Sequence, residues 1–190
     1  MFNFRFSTEE IQQLFKAWIA ISFAFALIFR KQLFWLGNPF SLFLFSAVTV
    51  GLSFLLHEIG HKLVAQKYGC WAEFRSFDWG LILAILSALG GGIVFAAPGA
   101  VFIIGSPSLE ESGKISSAGI VVNLILAFVF FFLIILGLEN AFLLVGQKIN
   151  AWLALFNLLP FAFLDGEKIW RWNKFVWLGL FLSSGFIYLK

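Results

Sequence analysis

Long apolar runs constrain the fold of this 190-residue chain more than any other feature. They extend over about residues 11–29, 40–61, 115–137 and 141–164, with a shorter run over about 175–189. A helix of about 20 apolar residues crosses the hydrocarbon core of a bilayer. Because 61% of the residues are hydrophobic and only 12% are charged, the chain is too apolar for a soluble domain of this size. The sequence predicts one domain over 1–190, an all-α polytopic protein of the cell membrane with about five to six transmembrane helices.

The second apolar run ends in His57-Glu58-Ile59-Gly60-His61, which contains both histidines of the chain. Side chains four residues apart lie on one face of a helix, so both imidazoles can reach a single tetrahedral ion, for which zinc is the natural candidate. The spacing is the His-Glu-x-x-His pattern of zinc hydrolases, in which the glutamate contacts an activated water. Ionisable groups inside a membrane helix are costly and therefore suggest function. We predict one zinc ion per chain, with His57 and His61 as ligands and Glu58 as general base.

The third protein ligand has to come from elsewhere in the chain. Apart from Glu58, Asp165 is the one acid at the edge of a long apolar run with apolar neighbours on the approach. It is therefore the leading third ligand, with Asp78 and Glu73 as alternatives because they follow the motif helix closely. The single cysteine, Cys70, excludes an internal disulfide and a cysteine-rich metal site.

The stretch between residues 70 and 105 poses the main topological question. Residues 71–79 alternate aromatic and charged side chains, which is typical of an interfacial strand or loop. Residues 80–105 are apolar but are interrupted by three glycines at 90–92 and by Pro98-Gly99. A full crossing would put His61 and Asp165 on opposite sides of the bilayer, where they could not bind one ion. We therefore expect a re-entrant, partly β segment near 80–105 that turns near 90–92, with residues 94–104 lining the active-site cleft.

The distribution of basic residues also favours re-entry. With a cytoplasmic N-terminus, re-entry leaves outside only Arg30, Lys31, Lys148 and Lys190. A full crossing would instead place outside Arg30, Lys31, Lys114, Lys168, Arg171 and Lys174. Because cytoplasmic loops carry the excess of lysine and arginine, we expect a multi-pass protein whose active site faces the cytoplasmic side. The formal charge of +3 is small and gives no reason to expect a nucleic-acid partner.

Local signals mark the ends of several elements. Ser7 or Thr8 is the expected cap of the first helix, with acids in its first turn. Residues 1–10 lack the basic start and cleavage site of a secretory signal, so we expect them to be retained. Residues 106–114 form a polar loop, and Glu139-Asn140 marks a turn between two apolar runs.

Three motifs resemble those of the site-2 protease family of intramembrane zinc metalloproteases. The first is His57-Glu58-Ile59-Gly60-His61, and the second begins at Asn157-Leu158-Leu159-Pro160 and ends at Asp165-Gly166. The third, normally Gly-Pro-x-x-Asn, is Gly119-Ile120-Val121-Val122-Asn123, with isoleucine in place of proline. The resemblance covers about residues 40–172, and Glu167 replaces a second glycine often found after Asp-Gly. In the family the aspartate matched by Asp165 is the third zinc ligand.

The resemblance implies regulated intramembrane proteolysis, with a transmembrane protein or peptide as substrate in the lipid bilayer. A transmembrane helix must unwind locally before its amides can be attacked. An exposed strand edge within 98–104 or 71–79 could then bind the unwound peptide by strand addition. Asn123 is a candidate catalytic residue that bonds substrate or a developing oxyanion, or else makes an interhelical hydrogen bond. Asn157 has the same two interpretations, while Pro160 would open the helix so that Asp165 turns toward the metal.

Two other classes of protein place histidines and acids in membrane helices. A membrane metal transporter needs access from both sides, whereas the polar residues at membrane depth here cluster toward one face. A non-catalytic zinc-binding membrane protein would have no need of a general base such as Glu58 beside a closed structural site.

Overall fold

The computed structural model describes residues 5–30, 33, 38–91, 98–161 and 164–190, and it is mainly helical with one small sheet. This confirms the predicted helical class. The elements in chain order are α1 (Thr8–Phe29), α2 (Pro39–Ser46), a π-helical turn (Ala47–Gly51), α3 (Leu52–Lys67), β1 (Trp71–Ser76), α4 (Asp78–Gly91), β2 (Gly99–Ile104), α5 (Leu109–Ile135), α6 (Ala141–Asn157), α7 (Asp165–Trp172) and α8 (Lys174–Leu189).

Three helical stretches of the described residues are long and apolar enough to cross a membrane. They are Thr8–Phe29, the continuous stretch Pro39–Lys67 and Leu109–Ile135. Helices α4 and α8 are apolar but shorter. These helices support a membrane protein, while the larger number of five to six spans stays a prediction.

The described residues divide into two compact units, and the first, the N-terminal unit, comprises Arg5–Leu55 and Glu73–Phe102. Within it α1 packs against α2, the π-helical turn and α4. Helix α1 begins at the Ser7 cap, whose side chain accepts a hydrogen bond from the backbone of Glu10, which confirms the predicted start. The indole of Trp18 donates to the carbonyl of Ala47 at 3.0 Å. Helix α1 is therefore hydrogen-bonded to the π-helical turn, whose backbone hydrogen bonds span one residue more than those of an α-helix.

The second unit, the C-terminal unit, comprises Leu56–Ala72 and Ile103–Lys190. Its core is formed by apolar side chains of α5, α6 and α7, on which α8 packs. Helix α5 begins at Leu109 with a capping box between Ser108 and Glu111, so the polar loop predicted for 106–114 is wrong from Leu109 onward. The cap satisfies backbone groups at a helix start, and the helix therefore begins before the apolar run does.

Strands β1 and β2 pair in a two-stranded sheet. The amide of Phe77, just after β1, donates to the carbonyl of Pro98, just before β2, at 3.1 Å, and Cys70 lies against Gly105 beyond the other ends. The strands are therefore antiparallel. The chain therefore leaves the sheet after Phe77, continues as helix α4, and is again at the same end of the sheet at Pro98, where β2 follows.

Helix α4 has 14 residues and is about 21 Å long, too short to cross a hydrocarbon core of about 30 Å. Gly90 and Gly91 are the last residues of α4, so the helix ends where a turn was predicted, near 90–92, and the turn itself stays a prediction. Gly92 and the predicted cleft-lining residues 94–97 lie outside the described residues.

Candidate metal centre

Helices α3 and α7 bring the two histidines and Asp165 together in the C-terminal unit. The Nε2 atoms of His57 and His61 are 2.9 Å apart. Oδ2 of Asp165, the first residue of α7, is 3.4 Å from Nε2 of His57 and 3.1 Å from Nε2 of His61. The three residues form a group of donor atoms, within the described part of the chain, that could bind one ion.

The donor set fits zinc. Four donors placed tetrahedrally around zinc at about 2.0 Å are about 3.3 Å apart, close to the three distances between these Nε2 and Oδ2 atoms. Two imidazoles and one carboxylate are a ligand set found in catalytic zinc sites, where the fourth position is open.

Both rings point their Nε2 atoms inward because their Nδ1 atoms have partners. Nδ1 of His61 lies 2.8 Å from the carbonyl oxygen of Ile115, and Nδ1 of His57 lies 2.6 Å from Oδ1 of Asn123. A carbonyl oxygen only accepts, so each Nδ1 carries a proton, and in the neutral ring Nε2 then presents a lone pair. This tautomer is the one that a metal needs at Nε2.

Gly119 of α5 provides the space for the rings. A Cβ atom at this position would lie 2.4 Å from Nε2 of His61 and 2.8 Å from Cε1 of His57, well inside van der Waals contact. Gly60 of α3 also approaches α5 closely, since its Cβ would lie 3.2 Å from the carbonyl oxygen of Ala118. The two glycines therefore let the histidine-bearing helix approach α5.

Asp165 is placed by the break between α6 and α7. Helix α6 ends at Asn157, several residues before the predicted end near 164. The carbonyl of Leu158 then accepts a hydrogen bond from the indole of Trp177 in α8 at 2.7 Å. A Cβ at Gly166 would lie 2.1 Å from that same oxygen, so the residue after Asp165 has to be glycine for α7 to start here.

The charge state of Asp165 suits a metal ligand. Burial alone would raise the pKa of its carboxyl, but positive charge on the neighbouring imidazoles of His61 and His57, or on an ion held between them, lowers that pKa well below its usual range. Asp165 is therefore a carboxylate at neutral pH.

Glu58 is buried, with 8% of its surface exposed, and it interacts electrostatically with His61. The alternative ligands have other partners within the N-terminal unit. Asp78 is ion-paired with Lys16, and Glu73 pairs with Arg75 at 2.7 Å. Of the three acids considered as third ligand, Asp165 is therefore the one whose carboxylate lies with the Nε2 atoms of both histidines.

The structure places Asn123 as a partner of His57. Besides its contact with His57, its Nδ2 donates to Oδ1 of Asn150 in α6 at 2.9 Å. These contacts agree with the interhelical alternative, while the predicted bond to substrate or oxyanion stays untested. Asn157 donates to the carbonyl of Leu153 at 2.9 Å within its own helix.

Sequence reasoning missed two residues that support the site, Asn150 and Trp177. Asn150 is fully buried, and a buried amide inside an apolar run was the available signal, since such groups need partners. For Trp177 there was no comparable signal, because a tryptophan near the end of a membrane helix is common.

Two named proteins are similar in sequence to most of this chain. A protein of Methanocaldococcus jannaschii named "Putative zinc metalloprotease MJ0611" is 40% identical over 98% of this chain and 97% of its own. A Bacillus subtilis protein named "Putative zinc metalloprotease YwhC" is 32% identical over 69% of each chain. The chain belongs to this zinc metalloprotease family.

Membership of the zinc metalloprotease family confirms the prediction of a zinc enzyme of this class. Among the described residues of this zinc metalloprotease, His57, His61 and Asp165 are the group that could bind the ion. No protein-family model and no solved structure matches the chain.

Proposed function

We propose that this zinc metalloprotease is an intramembrane protease of the site-2 type, which hydrolyses peptide bonds in or near transmembrane helices of other proteins. The observation that carries the proposal is the group of His57, His61 and Asp165, whose donor atoms lie within 3.4 Å of one another in a strongly apolar helical chain. The three apolar helices long enough to span a membrane support the membrane setting.

The residues have separate roles in this proposal. His57, His61 and Asp165 hold one zinc ion, which when bound polarises a carbonyl and lowers the pKa of a water molecule. Glu58 takes the proton from the attacking water at its carboxylate and passes it to the amine nitrogen that leaves. Asn123 keeps His57 in the orientation and tautomer that ligation needs.

Strand β2 is the better of the two candidate edges for binding an unwound substrate. On β1 the amides of Phe74 and Ser76, which point away from β2, donate to Oε1 of Glu10 at 3.0 Å and of Gln13 at 3.2 Å. That edge is therefore capped by side chains of α1. The outer edge of β2 pairs with no strand among the described residues, so we propose strand addition there.

The orientation in the membrane is part of the same proposal. The chain is multi-pass in the cell membrane, with the segment near 80–105 re-entrant and the active site toward the cytoplasmic side. The sheet geometry supports re-entry, because Phe77 and Pro98 are hydrogen-bonded to each other, and the basic residues support the cytoplasmic orientation.

The test is hydrolysis of fluorescently labelled single-span peptides in liposomes by wild type and by Glu58→Gln, with zinc content measured for both. The peptides carry glycine or asparagine in the middle of the helix, which eases unwinding. We expect wild type to cut them and Glu58→Gln to retain zinc but lose about 10²–10⁴-fold in rate, because the general base is gone. Chelation of zinc should abolish cleavage.

Glu139→Gln is the matched control, because Glu139 is an exposed acid between α5 and α6. It should cut like wild type. Preferential cleavage of unfolded casein over every single-span peptide would contradict intramembrane proteolysis while leaving a metalloprotease. Zinc binding without cleavage of any probe would favour a transporter or a non-catalytic zinc protein, and zinc flux into liposomes would separate those two.

A further inference from the structure

A row of buried amide side chains leads from His57 into α6. Nδ1 of His57 lies 2.6 Å from Oδ1 of Asn123, Nδ2 of Asn123 donates to Oδ1 of Asn150 at 2.9 Å, and Nδ2 of Asn150 donates to the carbonyl of Gly146 at 2.8 Å. Asn123 and Asn150 have no exposed surface. The row therefore links α3, α5 and α6 without access to water.

The orientation of each amide in the row is set by the acceptor at its α6 end, the carbonyl of Gly146. The main-chain carbonyl of Gly146 can only accept, so the NH₂ group of Asn150 has to face it and the Oδ1 of Asn150 has to face Asn123. Asn123 must then turn its own NH₂ toward Asn150 and its Oδ1 toward His57. The proton of the imidazole consequently sits on Nδ1, which leaves the lone pair on Nε2.

We propose that Asn150 is a positioning residue of the metal centre, which fixes the direction of the Asn123 amide and thereby the tautomer of His57 that binds zinc. The proposal rests on the proposed metal centre and is independent of the substrate. Without the acceptor on Asn150, the Asn123 amide can turn its NH₂ toward Nδ1 of His57. The ring then carries its proton on Nε2, where it competes with the metal.

The second histidine provides an internal contrast. Nδ1 of His61 contacts the main-chain carbonyl of Ile115 directly, so its tautomer needs no side chain to set it. Of the two histidines, only His57 depends on a side-chain amide, Asn123, whose oxygen and NH₂ group can exchange positions by rotation. Loss of Asn150 should therefore impair one ligand and leave the other intact.

The experiment measures the zinc dissociation constant of purified protein in detergent by competition with a chelator, together with the unfolding midpoint of the zinc-free protein. We expect Asn150→Leu to weaken zinc binding about 10–100-fold, the usual effect of losing an outer partner of a metal ligand. Asn150→Ala removes the same two contacts with a smaller side chain and is the second variant. Asn150→Asp, protonated at this buried position, keeps an acceptor toward Asn123 and a donor toward Gly146, so it should bind zinc nearly as wild type does while lowering the unfolding midpoint.

Gln147→Leu is the matched control. Gln147 is also a buried amide of α6, but its Nε2 donates to the carbonyl of Ile187 in α8 at 3.0 Å. We expect this change to lower the unfolding midpoint while leaving the zinc dissociation constant close to that of wild type. A purely structural role for Asn150 predicts the same pattern for Asn150→Leu, and that result would overturn the proposal.

A double-substitution cycle tests whether Asn150 affects zinc binding through Asn123. In an Asn123→Asp background either carboxylate oxygen accepts from Nδ1 of His57, so the direction of the side chain no longer matters. Adding Asn150→Leu there should change zinc affinity by less than about two-fold. An equal loss of zinc affinity in both backgrounds would contradict an action of Asn150 through Asn123. A wild type that binds no zinc would instead overturn the metal centre and the proposed function.

Discussion

Gly119 shows how one missing side chain makes room for a metal site. Both imidazole rings lie where its Cβ would be, with Nε2 of His61 2.4 Å from that position. The rings in turn are oriented by Ile115 and Asn123 on the same helix. A single stretch of α5 therefore provides both the space for the ligands and the acceptors that set their tautomers.

Replacing this glycine should damage the metal centre more than the fold. Overpacking typically costs about 1–3 kcal/mol, and about 1.4 kcal/mol corresponds to ten-fold in binding, so Gly119→Ala should weaken zinc binding about 10–100-fold. Chelator competition measures the loss. Gly179→Ala in α8 is the control, because a Cβ at Gly179 meets nothing within 4 Å, and equal zinc affinities for the two variants would contradict the steric argument.

At the scale of elements, the end of α6 decides where Asp165 lies. Helix α6 ends at Asn157, and α7 begins at Asp165 with the backbone of Gly166 pressed against the carbonyl of Leu158. That carbonyl is also the acceptor for the indole of Trp177, which stacks on Phe181 with ring centroids 5.1 Å apart. Helix α8 thus stabilises the junction that presents the third ligand.

Removing the indole donor should loosen this junction. Trp177→Phe keeps an aromatic ring but leaves the Leu158 carbonyl without that donor, at a cost of about 1 kcal/mol. For a chain of this length the unfolding midpoint in detergent should fall by about 2–4 °C, with a parallel loss of zinc affinity.

Trp152→Phe is the control for this change, because Trp152 stacks on Phe156 within α6 at 5.3 Å. Its replacement should leave zinc affinity unchanged. The interpretation of the junction would be wrong if both variants bound zinc as tightly as wild type.

At the scale of the whole molecule, the positions of Phe77 and Pro98 at one end of the sheet support the proposed re-entrant segment near 80–105. The hydrogen bond between Phe77 and Pro98 holds the two ends of this segment together. Helix α5, with 27 residues, is about 40 Å long and can cross. The proposed re-entrant segment, followed by a crossing helix, predicts which residues share a side of the membrane.

Cysteine labelling tests that arrangement. In a Cys70→Ala background, Trp79→Cys and Ala100→Cys should react with a membrane-impermeant maleimide from the same side, the cytoplasmic side, since both positions are exposed near the sheet. Glu139→Cys, in the turn after α5, should react only from the opposite side. Labelling of Trp79→Cys and Ala100→Cys from different sides of oriented vesicles would exclude re-entry.

Local patterns in the sequence were sufficient to predict the features that depend on neighbouring residues. The spacing of His57 and His61 places them on one helical face, Ser7 caps α1 through a bond three residues on, and long apolar runs form helices. Re-entry was also predicted from the sequence, because two ligands of one ion have to share a side of the bilayer, and it stays a prediction.

Only the tertiary structure decided which distant groups meet. Asn123 and Asn150 are 27 residues apart and bond because α5 packs on α6, and β1 is capped because α1 places Glu10 and Gln13 beside it. Buried polar groups must find partners, but which partner is reached depends on how whole helices pack. Periodicity along a single segment carries no information about that packing.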